Sequence, residues 1–143
     1  MVSASGRLGP ELSMTPSTPP RPVPSVILRH DTPDGGWHFD WMILLENARL
    51  LTFRVDERPD QASTAFEAIR LADHRAAYLD FEGELTDGRG RVTRVARGEV
   101  AIIERTTERV VIEGGYDGPN MRWGGVLVEG DRWRFERREA CGG

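Results

Sequence analysis

The chain contains three histidines, and two of them fall in the run His30-x7-His38-x-Asp40. In a β-strand, residues two apart project from the same face roughly 6.6–6.8 Å apart along the chain. His38 and Asp40 can therefore converge on one ion while Phe39 and Trp41 pack behind them, and His30, across a turn, can complete the trio. Two imidazoles and one carboxylate leave coordination positions open and suit Mn, Fe or Zn rather than Ca or a soft metal. Open positions are what phosphoryl chemistry requires. The third histidine lies in Asp73-His74-Arg75-Ala76-Ala77-Tyr78-Leu79-Asp80-Phe81-Glu82-Gly83, a segment dense in groups able to bind or protonate a phosphate oxygen. His30, His38, Asp40 and His74 are accordingly expected to form one divalent-metal or phosphate site. A histidine taken singly is most often structural; it is the company these keep that points to chemistry.

The elements that must position these residues read as strands. Ser25 to His30 is a short β-prone run, and Asp31 to Gly36 supplies the Pro and Gly of a turn. Trp37 to Leu45 follows as a second strand, and Asn47-Ala48-Arg49 turns the chain into a third, Leu50 to Val55. Ala65, Phe66 and Ile69 stand at helical spacing, so Thr64 to Leu71 is expected to form one short helix or an irregular connection. Beyond it, β patterns recur at Arg91 to Arg97, Glu99 to Arg105, Arg109 to Glu113, Met121 to Glu129 and Arg132 to Arg138. Alternation in the last places Trp133 and Phe135 toward a core. The expected fold is all-β, a compact β-barrel. Heptads, internal repeats and Walker, Rossmann or GxSxG motifs are all missing from the sequence.

At 143 residues the chain fits one domain. Residues 1–24 are rich in Ser and Pro without apolar periodicity and are expected to be a flexible, disordered tail, leaving 25–139 as the domain. The tail has no apolar run of the kind a secretory signal needs, and no stretch approaches the roughly 20 apolar residues of a membrane-spanning helix, so a cytoplasmic protein is expected. The single cysteine, Cys141, excludes an internal disulfide and a Cys-based zinc site. All 19 basic residues are arginine, against 23 acidic ones, for a net charge of −4. Guanidinium groups can hold phosphate bidentately even on an acidic protein. The overall sign nevertheless argues against tight, nonspecific duplex binding.

His30, His38-Phe39-Asp40, Asp73-His74, Tyr78, Asp80-Phe81-Glu82-Gly83, the Gly88-Arg89-Gly90 turn and Arg97-Gly98 follow one another in an order that resembles the 3′-phosphoesterase module of bacterial DNA ligase D. Members of that family carry a His-x5-His-Tyr-Asp-Phe/Leu-Arg strand, then Asp-His-Pro-Leu-Glu-Tyr-x-Asp-Phe-Glu-Gly, then a Gly-rich turn into a strand. The resemblance spans roughly Val26 to Phe135, and its most specific part is the Asp-Phe-Glu-Gly segment with its upstream histidine. It implies a β-barrel with a Mn-type ion held by His30, His38 and Asp40, with Zn or Fe as alternatives, and with His74 and Tyr78 as catalytic residues. The implied activity removes 3′-phosphates and 3′-ribonucleotides from DNA or RNA-tipped primer ends in DNA repair. Contacts to those ends would be weak and local, and a ligase or polymerase would be the protein partner.

One departure is chemically important. Where the family has an arginine two residues after the aspartate, this chain has Met42, which cannot bind phosphate. Arg29 and Arg70 are candidate replacements. The alternative to an active phosphoesterase is therefore a catalytically impaired module that binds metal or phosphate, and a third class is a cupin-like metalloenzyme, against which the His74 segment argues. Asp80 and Glu82 are secondary candidates that could equally be arginine or turn partners. Tyr78 is either a core aromatic or a phosphate contact. Arg89, Arg91, Arg94 and Arg97 form a basic ridge or simply a solvated strand face. Trp37, Trp41, Trp123 and Trp133 are expected in the core or closing the barrel, with base stacking as the alternative for Trp37.

Overall fold

The computed structural model describes residues 20–62 and 64–140. Nine strands occur among them: β1 (Val23–Asp31), β2 (Trp37–Leu44), β3 (Arg49–Val55), β4 (Ala65–Arg75), β5 (Gly83–Glu84), β6 (Arg91–Arg105), β7 (Arg109–Gly115), β8 (Met121–Glu129) and β9 (Arg132–Glu139). Eight of them run antiparallel in the order β1-β2-β3-β4-β9-β8-β7-β6, and pairing of β6 back onto β1 closes the barrel. The two-residue β5 is appended to the start of β6. Closure leaves no long unpaired edge, the usual aggregation hazard of a sheet. Most of the expected tail lies outside the described residues, and β1 starts at Val23, inside its expected limit.

The segment expected as a short helix or an irregular connection, Thr64 to Leu71, is instead the first part of β4. Phe66 and Ala68 point inward and are buried, whereas Glu67 and Ile69 face out. That is a period of two; the Phe66–Ile69 spacing only imitated a helical one. Pairing supplies the physical reason, because without this strand between β3 and β9 the barrel would stand open along two edges. The short helical pieces lie elsewhere, as 3-10 turns at Ala76–Leu79 and Thr86–Gly88. The two strands expected either side of Gly98 are one 15-residue strand, β6. Gly98 is not a break but a close approach, since a Cβ there would lie 2.1 Å from the Gly115 carbonyl oxygen.

The barrel interior is aromatic. Trp41 contacts Phe53, Phe66, Trp123 and Phe135 at ring-centroid distances of 5.2–6.2 Å. Trp133 and Phe135 are buried as alternation requires. Trp37 is not a core residue: it is 48 % exposed at the rim, with the Arg29 guanidinium 4.5 Å from its ring centroid. It occupies the end of β2, where Asp31 is its partner across the hairpin and no facing sheet remains to cover it.

One wall of the barrel is apolar on both faces. Ile27, Trp41 and Phe53 belong to the interior core, while Val26, Leu28, Met42, Leu50 and Val92 form a second cluster on the outer surface of β1, β2, β3 and β6. Leu79 completes that cluster, with Tyr78 and Leu85 packed against it. The chain between β4 and β6 thus folds down as a cover over the outer face. Among the described residues no helix is long and apolar enough to cross a membrane.

A buried polar chain ties the two faces together. The Trp41 indole N–H donates to the Tyr116 hydroxyl at 2.8 Å, that hydroxyl lies 2.6 Å from Ser25 Oγ, and Ser25 donates to the Met42 carbonyl at 2.8 Å. Burial raises the Tyr116 phenol well above its ordinary pKa, so the chain stays uncharged. Tyr116→Phe should strand the Trp41 N–H in the core and lower stability by about 1–3 kcal/mol. Urea unfolding checks this; a midpoint equal to wild type would show that the network contributes nothing.

Candidate metal centre

The β1–β2 register sets the imidazoles side by side, with His30 directly opposite His38 and Leu28 opposite Asp40. All of them face outward, just above the second apolar cluster. His38 and Asp40 are buried, at 6 % and 4 % exposure, although both are polar. His38 Nε2 lies 3.1 Å from Asp40 Oδ1, and His30 Nδ1 lies 3.5 Å from Asp40 Oδ2. The imidazole rings meet edge to face with centroids 4.8 Å apart.

Hydrogen bonding fixes which atoms of this trio remain open. His30 Nε2 lies 2.9 Å from the Arg89 carbonyl oxygen. A carbonyl can only accept, so Nε2 carries the proton and Nδ1 of the neutral ring turns its lone pair toward Asp40. Asp40 Oδ1 is buried and, despite its closeness to His38, has no hydrogen-bond partner among the described residues. An ionised oxygen left so costs on the order of several kcal/mol unless a cation meets it.

The donor set fits a divalent transition metal. Bonds of about 2.0–2.2 Å give ligand-to-ligand edges of roughly 2.9–3.5 Å in tetrahedral or octahedral coordination. The two contacts to Asp40 match those edges. The candidate ligand atoms of His30, His38 and Asp40 all lie within 4.8 Å of one another. The Arg89 carbonyl has the place of the outer hydrogen-bond acceptor that orients most metal-bound histidines.

A pocket of about 200 Å³ opens above the trio, lined also by Met42, Arg54, His74 and Tyr78. His74 does not join the ligand cluster. It lies further along the same pocket, its Nδ1 2.8 Å from the Ala72 carbonyl oxygen, which makes Nδ1 the protonated nitrogen and leaves Nε2 able to accept. The Tyr78 ring stacks edge to face on His74 at 5.6 Å and packs against the outer apolar cluster. It is both a packing residue and a pocket residue.

Of the other candidates, Arg89 lines the pocket, whereas Asp80, Glu82, Arg91, Arg94 and Arg97 fall outside it. Asp80 pairs with Arg97 at 2.9 Å, Glu82 accepts from the Arg94 backbone N–H at 2.7 Å, and the Arg94 and Arg97 guanidiniums both donate to the Leu79 carbonyl. These contacts fasten the cover to β6, so the Asp-Phe-Glu-Gly segment holds the roof of the site rather than entering it. Arg91 is an exposed residue at the start of β6. Neither suggested replacement for the missing arginine arrives: Arg29 holds Asp31 and Trp37, and Arg70 holds Asp73 and the Leu71 carbonyl. Arg54, which sequence reasoning passed over, does line the pocket. Its position was recoverable from the tight β2–β3 turn, which pairs residue 44 with 50 and hence 40 with 54. Its charge reaches Asp34, whose carboxyl is lowered chiefly by hydrogen bonds from Thr32 and the Gly36 N–H and slightly by Arg54.

No protein-family model matches this chain, and no curated protein matches it.

The Arg89 carbonyl is held in place by its neighbour. Gly90 adopts φ +105, and a Cβ there would lie 2.0 Å from the Asp31 carbonyl oxygen. Gly90→Ala should push the loop off β1, remove the acceptor from His30 and weaken Zn²⁺ or Mn²⁺ binding by about 10–100-fold. Calorimetric titration measures this while circular dichroism confirms that the barrel persists. Affinity unchanged in a folded variant would remove the carbonyl from the site.

Proposed function

We propose that this chain is a metal-dependent 3′-phosphoesterase-like protein that acts in the cytoplasm on 3′-phosphate or 3′-ribonucleotide ends of DNA during end repair. The observation that carries this reading is the convergence of His30, His38, Asp40, His74 and Tyr78 on one outward-facing pocket. DNA ends and the end-repair setting rest on the sequence resemblance, as does a ligase or polymerase partner. The acidic net charge agrees with brief, local contact to a DNA end rather than tight duplex binding.

His30, His38 and Asp40 would hold the ion, with Mn favoured by the resemblance and Zn or Fe compatible with the donors. Once bound, a divalent ion supplies positive charge that polarises a phosphoryl oxygen and lowers the pKa of water. His74, with Nε2 unprotonated in its neutral form, can take a proton from attacking water and return it to the departing 3′-oxygen. Water oxygen bonds to phosphorus, the bond from phosphorus to the 3′-oxygen breaks, and a 3′-hydroxyl and phosphate result. The Tyr78 hydroxyl would donate to a non-bridging oxygen and keep the phosphate within reach. The outer apolar cluster beneath Asp40 excludes water from one side and strengthens each of these interactions.

Met42 favours a second reading. It is 1 % exposed and belongs to the outer apolar cluster, so the position where the family carries an arginine offers no charge. A module that binds metal or phosphate without turnover would keep the trio and tolerate that methionine.

Incubation with Mn²⁺ and a primer ending in 3′-phosphate, beside a primer ending in one ribonucleotide, separates the two readings. The enzyme should produce a 3′-hydroxyl end, and His38→Ala or Asp40→Ala should reduce the rate by at least about 100-fold. No product at high enzyme concentration would leave the binding module. Metal at 100 times its dissociation constant should add about 2.7 kcal/mol of stability in either case; no thermal shift with Mn²⁺, Zn²⁺ or Fe²⁺ would count against both.

A further inference from the structure

We infer that Arg54 is the anion-binding cation of this pocket and that it holds a tetrahedral oxyanion such as a terminal phosphate, reaching the site from the strand beside the one where an arginine is missing. The inference rests on the pocket read above as a phosphate site. Arg54 pairs with Asp40 across the β2–β3 ladder, and Thr52 pairs with Met42. Side chains directly opposite in antiparallel strands have Cβ atoms about 4.5–5.5 Å apart, less than the roughly 6.6–6.8 Å between residues two apart on one strand. The register therefore brings Arg54 at least as near to Asp40 as position 42 stands.

Three features set Arg54 apart from the other arginines near the site. It lines the pocket together with the ligand trio, His74 and Tyr78. It is exposed on a strand whose other outward residues, Leu50 and Thr52, are fully buried, so its guanidinium stands where the apolar floor gives way to solvent. Among the described residues its side chain makes no hydrogen bond or ion pair, and its charge acts on Asp34 only at a distance. Arg89, the other arginine lining the pocket, spends its guanidinium on Thr86, whose carbonyl and hydroxyl oxygens it reaches at 3.0 Å each. A free guanidinium beside a metal-ligand trio presents the paired N–H groups that match two oxygens of a phosphate. Met42 is then no loss of charge from the pocket: the apolar floor has moved under position 42, and the cation has moved one strand over.

Isothermal titration of inorganic phosphate into the full chain, with and without Mn²⁺, tests this against Arg54→Ala, Arg54→Lys and a remote control, Arg134→Ala. Wild type and Arg134→Ala should bind phosphate alike, whereas Arg54→Ala should weaken it by about 10–100-fold, the usual worth of a charged hydrogen bond. Arg54→Lys should recover part of the affinity through charge without the bidentate fork. Mn²⁺ affinity itself should not fall in Arg54→Ala, since a cation is being removed beside Asp40, showing that the trio is intact. Equal phosphate affinity in wild type and Arg54→Ala overturns the inference, as does a wild type that binds no phosphate with or without Mn²⁺. Arg54-dependent phosphate binding without any turnover of 3′-phosphate primers upholds it and overturns the catalytic reading instead.

Discussion

The wall formed by β1, β2, β3 and β6 is apolar on both faces, and the rest of the site depends on this. Trp41 and Met42 are consecutive residues, one in the aromatic interior and one in the outer cluster, and both are essentially inaccessible to solvent. A strand buried on both faces needs something to cover its outer side, because exposed Val26, Leu28, Met42, Leu50 and Val92 would each forgo roughly 1.5–3 kcal/mol of burial. The segment between β4 and β6 supplies the cover through Leu79, Tyr78 and Leu85. Where that cover stops, the pocket begins. Asp40 lies on this boundary, buried against the cluster below and lining the pocket above, and among the described residues its Oδ1 has no hydrogen-bond partner.

The cover is held by unequal forces. Leu79 is buried, and its carbonyl takes two guanidiniums from β6. The Arg97–Asp80 pair is exposed and contributes little in water, about 0–1 kcal/mol. Apolar packing does most of the fastening, and charge sets the register of cover against barrel. The acidic residues of Asp-Phe-Glu-Gly thus act at one remove: they position the roof that carries Tyr78, and Gly90 seats the loop whose carbonyl orients His30.

A sheet offers two routes to any point on its surface, along a strand or across it, with comparable reach. Met42 and Arg54 illustrate the consequence. Position 42 along β2 carries an apolar side chain, while Arg54 on the neighbouring strand lines the same pocket.

Local pattern in the sequence determined most of the strands, their alternation and the candidate trio His30, His38 and Asp40. Period-two placement of His38 and Asp40, and a short turn back to His30, are properties of a few adjacent residues and survive any tertiary arrangement that keeps the hairpin. Continuous apolar runs at Val26-Ile27-Leu28 and Trp41 to Leu45 already carried the two-sided burial, because a strand with one wet face alternates. Other features were decided only by tertiary structure. Phe66 and Ile69 fit a helix until β3 and β9 each required a partner between them. Trp37 looked like core until the barrel rim ran out beneath it, and Asp80 and Glu82 looked like chemistry until β6 presented its arginines and backbone to them. Each of these depends on contacts between residues far apart in sequence, where the energy of closing the barrel outweighs local preference.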